Sequence, residues 1–186
     1  KLDASTVTYG HLFNCAGLQA DRIAHSFDIG KHYTMLPFKG SYWQLKANAP
    51  IKFNTNLYPV PDLDVPFLGV HATPSIDGVT YLGPTATPAL GRENYKGLDG
   101  VEPLMALEFL RHMVTQVIID KKMRNYVSNQ AFDWTPKNFL NAVKAIIPKI
   151  EMIHIERSSK VGIRSQLYDK NKKELIQDFV MLNANS

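Results

Sequence analysis

A guanidinium inside an otherwise apolar strand is the group in this sequence whose type and setting point most directly to chemistry. Arg164 lies in Val161-Gly-Ile-Arg-Ser-Gln-Leu167. A planar fork of donors among Val161, Ile163 and Leu167 suits a carboxylate held by two parallel hydrogen bonds. A second reading stays open: Arg164 is out of phase with Val161, Ile163 and Ser165, which also fits an arginine on the solvent side of its strand. His71, in Phe67-Leu-Gly-Val-His-Ala-Thr73, fits a general base near its working pKa, or a structural histidine bonded to backbone. Lys39 and Arg92 stand beside glycines and suit an anion or the surface. Tyr42, Trp43 and Tyr58 suit the core or a pocket wall.

Other chemistries lack their motifs. The sequence contains no Gly-x-Gly-x-x-Gly, no Walker loop, no Gly-x-Ser-x-Gly and no His-Glu-x-x-His. Its histidines, at 11, 25, 32, 71, 112 and 154, form no i, i+4 pair, and the single cysteine, Cys15, has no partner for an internal disulfide. No metal site is expected, and the cysteine usage fits a reducing compartment. That places the chain in the cytoplasm, with peripheral attachment to a membrane left open.

With 186 residues, 45% of them hydrophobic and 20% charged, the chain suits one ordinary domain with additions rather than a disordered or fibrous protein. Its longest apolar run, Met113-Val-Thr-Gln-Val-Ile-Ile119, is far short of the roughly 20 residues that span a bilayer. Lys1-Leu-Asp-Ala-Ser-Thr6 has no apolar core of a signal peptide. The net charge of +4 comes from residues 94–186, with fourteen basic and ten acidic side chains against seven of each in 1–93. Those lysines alternate with acids instead of forming a stripe, so a small anionic partner fits better than nucleic acid.

These groups must be positioned by elements that the pattern outlines. Thr6–Gly17 reads as a strand ending in small residues, followed by a helix from Leu18 to Ala24. Short β-prone runs at 33–38, 41–45, 57–60, 67–73 and 79–82, punctuated by Gly and Pro, predict an antiparallel sheet, with a hairpin at Asp77-Gly78. From Val101 to about Tyr126 a stripe of Leu104, Leu107, Leu110 (or Phe109), Val114, Val117 and Ile118 predicts a helix. Thr135-Pro136 predicts the N-cap and first residue of another, ending at Pro148. A hairpin of 161–167 and 175–182 closes the chain.

Taken in order, certain segments carry a family likeness. They are Phe13-Asn-Cys-Ala-Gly-Leu-Gln-Ala-Asp-Arg-Ile-Ala24, Pro37-Phe-Lys-Gly-Ser-Tyr-Trp-Gln-Leu45, Leu57-Tyr-Pro-Val-Pro-Asp62, Pro66-Phe-Leu-Gly-Val-His-Ala-Thr73, Leu82-Gly-Pro-Thr-Ala86 and Arg92-Glu-Asn-Tyr95. From about residue 9 onward the chain resembles the FAD-dependent L-2-hydroxyglutarate oxidase/dehydrogenase group of the D-amino-acid-oxidase-like superfamily. The resemblance implies an α+β fold: a mainly antiparallel substrate-domain sheet with helices, flanked by pieces of a Rossmann-like FAD domain. Residues 1–32 would be a remnant of the FAD domain. Residues 33–157 would be the substrate domain, with its sheet over 33–95 and helices over 101–148. Residues 158–186 would return as a hairpin to the FAD domain.

The resemblance also implies roles. Cys15, Ala16, Gly17 and Gly162 would lie beside FAD. Arg164 would clamp the substrate carboxylate, with Lys39 and Tyr58 as further substrate contacts, and His71 would be the catalytic base or a substrate contact. The expected reaction takes a 2-hydroxy acid, L-2-hydroxyglutarate, to its 2-keto acid by hydride transfer to flavin. An amino acid or glycerol 3-phosphate, or a non-catalytic assembly module, are the alternatives. Departures from the family pattern at Lys39, Ser41 and Thr85 leave the substrate open. The family's opening Gly-x-Gly-x-x-Gly unit and its closing Ser-Pro segment are not found here. The expectation is therefore a fragment that binds FAD weakly, is inactive alone, and pairs with an N-terminal FAD-binding portion.

Overall fold

The computed structural model describes residues 6, 8–60, 69–121, 124 and 135–183, and two long strands organise them. β1 (Tyr33–Leu45) and a later strand, Ile155–Asp169, pair antiparallel along nearly their whole lengths. The two β-prone runs expected at 33–38 and 41–45 are thus one strand. Gly40, between them, is not a breaker but a close-approach site: a Cβ there would lie 2.6 Å from Pro84 Cβ.

Beside β1 run β2 (His71–Pro74), β3 (Thr80–Gly83) and the two-residue β4 (Thr87–Pro88). The strand Ile155–Asp169 is β5, and Glu174–Leu175 is β6. The sheet order is β2-β3-β1-β5-β6, with β4 also on β1, and every pairing is antiparallel. The expected turn joins β2 to β3: Gly78 takes φ +81°, and Ser75 N–H donates to Val79 O at 2.8 Å. The mixed α+β architecture expected from the sequence is the one found. β5 continues through position 157/158, with a shift of register against β1 at residues 158–160.

Three local expectations change. Residues 8–16 form no strand and are exposed. Only Leu57 of the run 57–60 pairs, in a single bridge to Ala72. The last strand is two residues rather than 175–182, and Phe179 and Met181 project into solvent. The parts of the runs that fall on 61–68, 122–123, 125–134 and 184–186 lie outside the described residues.

Each face of the sheet has its own cover. Trp43, Leu45, Ala72, Leu82 and Ile155 share a core with Phe139 and Val143 of α3 (Pro136–Lys144), and Trp43 stacks on Phe139 at 5.2 Å between centroids. α1 is Ala20–Ser26 and α2 is Pro103–Ile119. On the opposite face Leu36, Phe38 and Tyr168 pack on Phe109 of α2. α3 begins as expected: Pro136 opens it, and Thr135 Oγ1 accepts a hydrogen bond from Asn138 N–H at 3.3 Å. Thr135→Ala removes that acceptor, and urea unfolding should register a loss of about 1 kcal/mol.

α2 turns the predicted stripe outward. Ala106, Phe109, His112 and Gln116 form its buried side, while Leu104 (86% exposed), Leu107 (67%), Leu110, Val114 and Ile118 face solvent. Periodicity located the helix and left open which face would be buried. Phe109 fills the gap between Phe38 and Tyr168, and Gln116 donates to the Lys173 carbonyl, which rotates the leucines away. Burial holds the His112 imidazole below its usual pKa, against the raising effect of Glu108 and with smaller lowering effects from Arg111 and Lys170.

Candidate functional site

Alternation along β1 puts Leu36, Phe38, Gly40 and Tyr42 on one face. α2 covers the first two and stops, so the sheet is open at Gly40 and Tyr42. Register then fixes what stands across from them: Phe38 opposes Arg164 and Gly40 opposes Gly162. The turn after β3 brings Pro84, Thr85 and Ala86 over the opening. Thr85 is pinned there, its N–H donating to Ser41 O at 3.0 Å and its Oγ1 accepting from Ser41 N–H at 3.1 Å. The result is a cleft of about 150 Å³ lined by Phe38, Gly40, Tyr42, Pro84, Thr85, Ala86, Gly162, Ile163 and Arg164. A Cβ added at Gly162 would meet nothing within 4 Å, so that glycine is an open floor rather than a packing requirement.

Two candidates, Arg164 and Gly162, therefore meet in this cleft. Tyr58 and His71 also meet, with rings 4.8 Å apart, but at the sheet's edge. His71 opposes Gly83, and its Nδ1 lies 3.2 Å from Gly69 O. From β2 to β5 there are three strand spacings, about 14 Å. Lys39 projects to the other face, where its Nζ donates to the side chain of the buried Asn94 at 3.1 Å. Cys15, Ala16 and Gly17 stand in an exposed turn before α1, with Gly17 at φ +54°, and do not line the cleft.

Arg92 has neither an anion nor a surface role here. It forms a buried ion pair with Asp21, their side chains 4% and 3% exposed, with Nη2 donating to Oδ2 at 2.8 Å and Nη1 to Leu18 O. Asp21 also accepts from Met35 N–H at 2.8 Å. Burial raises the Asp21 pKa, but the Arg92 hydrogen bond, the Met35 N–H, the Arg92 charge and the Arg22 N–H together outweigh it, and the net direction is down. Nothing in the single sequence pairs positions 21 and 92.

A larger groove of about 620 Å³ runs over Asp21, Arg22, His25, Arg92, Glu102 and Glu108. Its two arginines are paired, Arg22 to Glu102 and Arg92 to Asp21, and Lys170 also lines it. Sequence reasoning did not find the cleft's Pro84–Ala86 wall. Gly83-Pro84 was a visible turn signal, but not where the turn would land.

With this geometry in place, comparison with known proteins is informative. The family described as FAD dependent oxidoreductase (DAO) matches residues 2–181. The L-2-hydroxyglutarate dehydrogenase, mitochondrial, of Caenorhabditis elegans is 33% identical over 170 residues, covering 91% of this chain and 39% of that protein. The L-2-hydroxyglutarate dehydrogenase of Salmonella houtenae is 30% identical over 171 residues, covering 92% and 40%. The chain thus spans about two fifths of the length of these relatives. Among solved structures, dithionite-reduced L-alpha-glycerophosphate oxidase from Mycoplasma pneumoniae, with FAD bound, has a TM-score of 0.43 at 20% identity, over 87% of this chain and 32% of that one.

Proposed function

We propose that this chain, which belongs to the family of FAD dependent oxidoreductases (DAO), supplies the substrate-facing part of an oxidoreductase for a small 2-hydroxy acid, L-2-hydroxyglutarate foremost. One observation carries the reading: Arg164 stands in an open cleft beside Gly162, which has open space where a side chain would be, while Pro84 lies against Gly40. The guanidinium would hold the carboxylate next to the hydroxyl carbon through a bidentate pair, fixing that carbon over Gly162. Pro84–Ala86 would shield it from water.

The fit to FAD is partial. The missing Cβ at Gly162 leaves open space for a flat group, whereas Pro84 already lies against Gly40, and about 150 Å³ is below the roughly 300–1,000 Å³ of sites that enclose drug-sized ligands. The sequence also lacks the Gly-x-Gly-x-x-Gly that cradles a pyrophosphate. FAD, when bound, supplies the hydride acceptor. This chain's residues bind and orient the acid, so we infer weak FAD binding by the chain alone and a partner in an N-terminal FAD-binding portion. Cys15, Ala16 and Gly17 are proposed to face that portion. Tyr58 and His71 belong to the proposal in a lesser way, whereas Lys39, on the far face with Asn94, does not reach an acid held in this cleft. A base must stand within about 2.6–3.2 Å of its proton, or one water away, so a catalytic His71 requires the acid to lie toward Tyr58.

The clean test is Gly162→Val. Open space around this glycine leaves stability within about 0.5 kcal/mol of the parent, while the branched side chain occupies the floor. Calorimetric titration should find binding of L-2-hydroxyglutarate abolished with the melting temperature unchanged; intact binding contradicts the reading.

An assembly role is favoured by a separate observation, the solvent-facing Leu104, Leu107, Leu110, Val114 and Ile118 of α2. The relatives are about two and a half times longer than the matched region, so the proposed occupant is the remainder of such an oxidoreductase. Leu107→Glu with Val114→Glu should abolish co-purification with a separately expressed FAD-binding portion while leaving the circular dichroism spectrum unchanged. Among the described residues no helix is long and apolar enough to cross a membrane. A reducing compartment, cytoplasmic or mitochondrial, fits Cys15.

A further inference from the structure

β5 carries a second cation on the cleft face. Between the pairs Ser41–Val161 and Trp43–Arg157, β5 has three residues, 158–160, where β1 has only Tyr42. Such a bulge re-aims a side chain, and here it directs Lys160 over aromatic rings. Its Nζ lies 4.2 Å from the Tyr81 centroid and 5.2 Å from that of Tyr42, two rings set edge to face at 6.4 Å. Tyr42 also lines the cleft. Lys160, Gly162 and Arg164 therefore alternate along one face, with a cation at each end and the open glycine between them. Four residues of strand separate the cations, about 13 Å between Cα atoms, and strand side chains lean along the strand direction. The rings hold the ammonium by cation–π attraction without a carboxylate's full neutralisation. The Asp77 carboxyl, held low chiefly by Ser75 and Val79 N–H, feels Lys160 in smaller part.

We propose that Lys160 receives the second, distal carboxylate of the substrate, so that the cleft selects 2-hydroxy dicarboxylic acids over monocarboxylic ones. This rests on the reading of Arg164 as the clamp for the carboxylate beside the hydroxyl. Two fixed cations separated by a side-chain-free floor match an acid with a carboxylate at each end of a short chain. A single clamp would bind both classes alike.

The test titrates the isotopically labelled chain by NMR at 0.15 M salt with L-2-hydroxyglutarate and L-2-hydroxyvalerate, five-carbon acids differing in the distal carboxylate. The parent chain should bind the diacid at least tenfold more tightly, since a general surface attraction gives no more than about fivefold. Lys160→Met should bring the diacid down to the monoacid's affinity and leave the monoacid within twofold, and Lys160→Arg should restore the preference. Arg164→Gln should weaken both acids. A diacid preference that survives in Lys160→Met, or is missing from the parent chain, overturns the Lys160 proposal. If both acids bind equally and Arg164→Gln abolishes both, only the Lys160 role fails. If neither acid shifts the Gly40 and Gly162 amides saturably, the Arg164 reading fails and takes this proposal with it.

Discussion

Asp21→Ala is expected to lower the unfolding free energy by about 3–5 kcal/mol, the usual cost of leaving one member of a buried ion pair without the other. The size follows from the surroundings. Arg92 is almost fully enclosed, its Nε is already buried without a hydrogen-bond partner, and the lost carboxylate also serves Met35 and Arg22 N–H. Against a typical total of 5–15 kcal/mol, the variant should be largely unfolded at 37 °C. Asp21→Leu with Arg92→Met should recover part of the loss, because removing both charges also removes their desolvation, but not all of it, since the two backbone donors stay unmatched. The same pair sets an acid limit. The folded-state pKa of Asp21 lies below its ordinary value, so its contribution is complete above the usual carboxylate range and disappears as pH falls through the depressed value. Urea midpoints between pH 7 and pH 3 should therefore fall more steeply in the parent chain than in the double variant. Parallel curves would place the acid sensitivity elsewhere.

Arg164→Gln should weaken binding of L-2-hydroxyglutarate by about 10- to 150-fold, the equivalent of roughly 1.5–3 kcal/mol for a hydrogen bond to a charged group. Stability should change by less than about 0.5 kcal/mol, because Arg164 lies on the exposed side of β5. Arg164→Lys should recover only part of the affinity, since an ammonium keeps the charge and loses the planar fork. Calorimetry on the three chains decides the matter. Loss of affinity equal in Lys and Gln variants would assign the effect to geometry alone, and no loss in either would remove Arg164 from the site.

Much of the fold was legible because local signals agreed with their context. Asp77-Gly78 marked its hairpin, Thr135-Pro136 marked the start of α3, and the alternating runs marked the sheet. Local pattern was silent, or failed, where a distant neighbour decides. The leucines of α2 repeat at helical spacing, yet Phe109, His112 and Gln116 take the inner side, because the partners offered by Phe38, Tyr168 and the Lys173 carbonyl suit them. The segment before Gly17 has strand composition but joins no ladder and stays exposed over 8–16. Arg164 could be singled out from its strand, and Gly162 through the family resemblance. Their meeting with Gly40 and Thr85 depended on a register that no local pattern encodes, and Lys160 depended on a bulge. Lys39, three residues from Tyr42 in sequence, faces Asn94 on the far side of the sheet. One position of strand phase decides which face a side chain serves.

The most direct measurement is the set of backbone amide shifts in the labelled chain as L-2-hydroxyglutarate is added, followed by the same titration of Arg164→Gln. The account predicts saturable shifts concentrated at Gly40, Thr85, Gly162 and Arg164, and their loss in the variant. Shifts concentrated instead along the groove of Arg22, Glu102 and Glu108, or unchanged by the substitution, would contradict it.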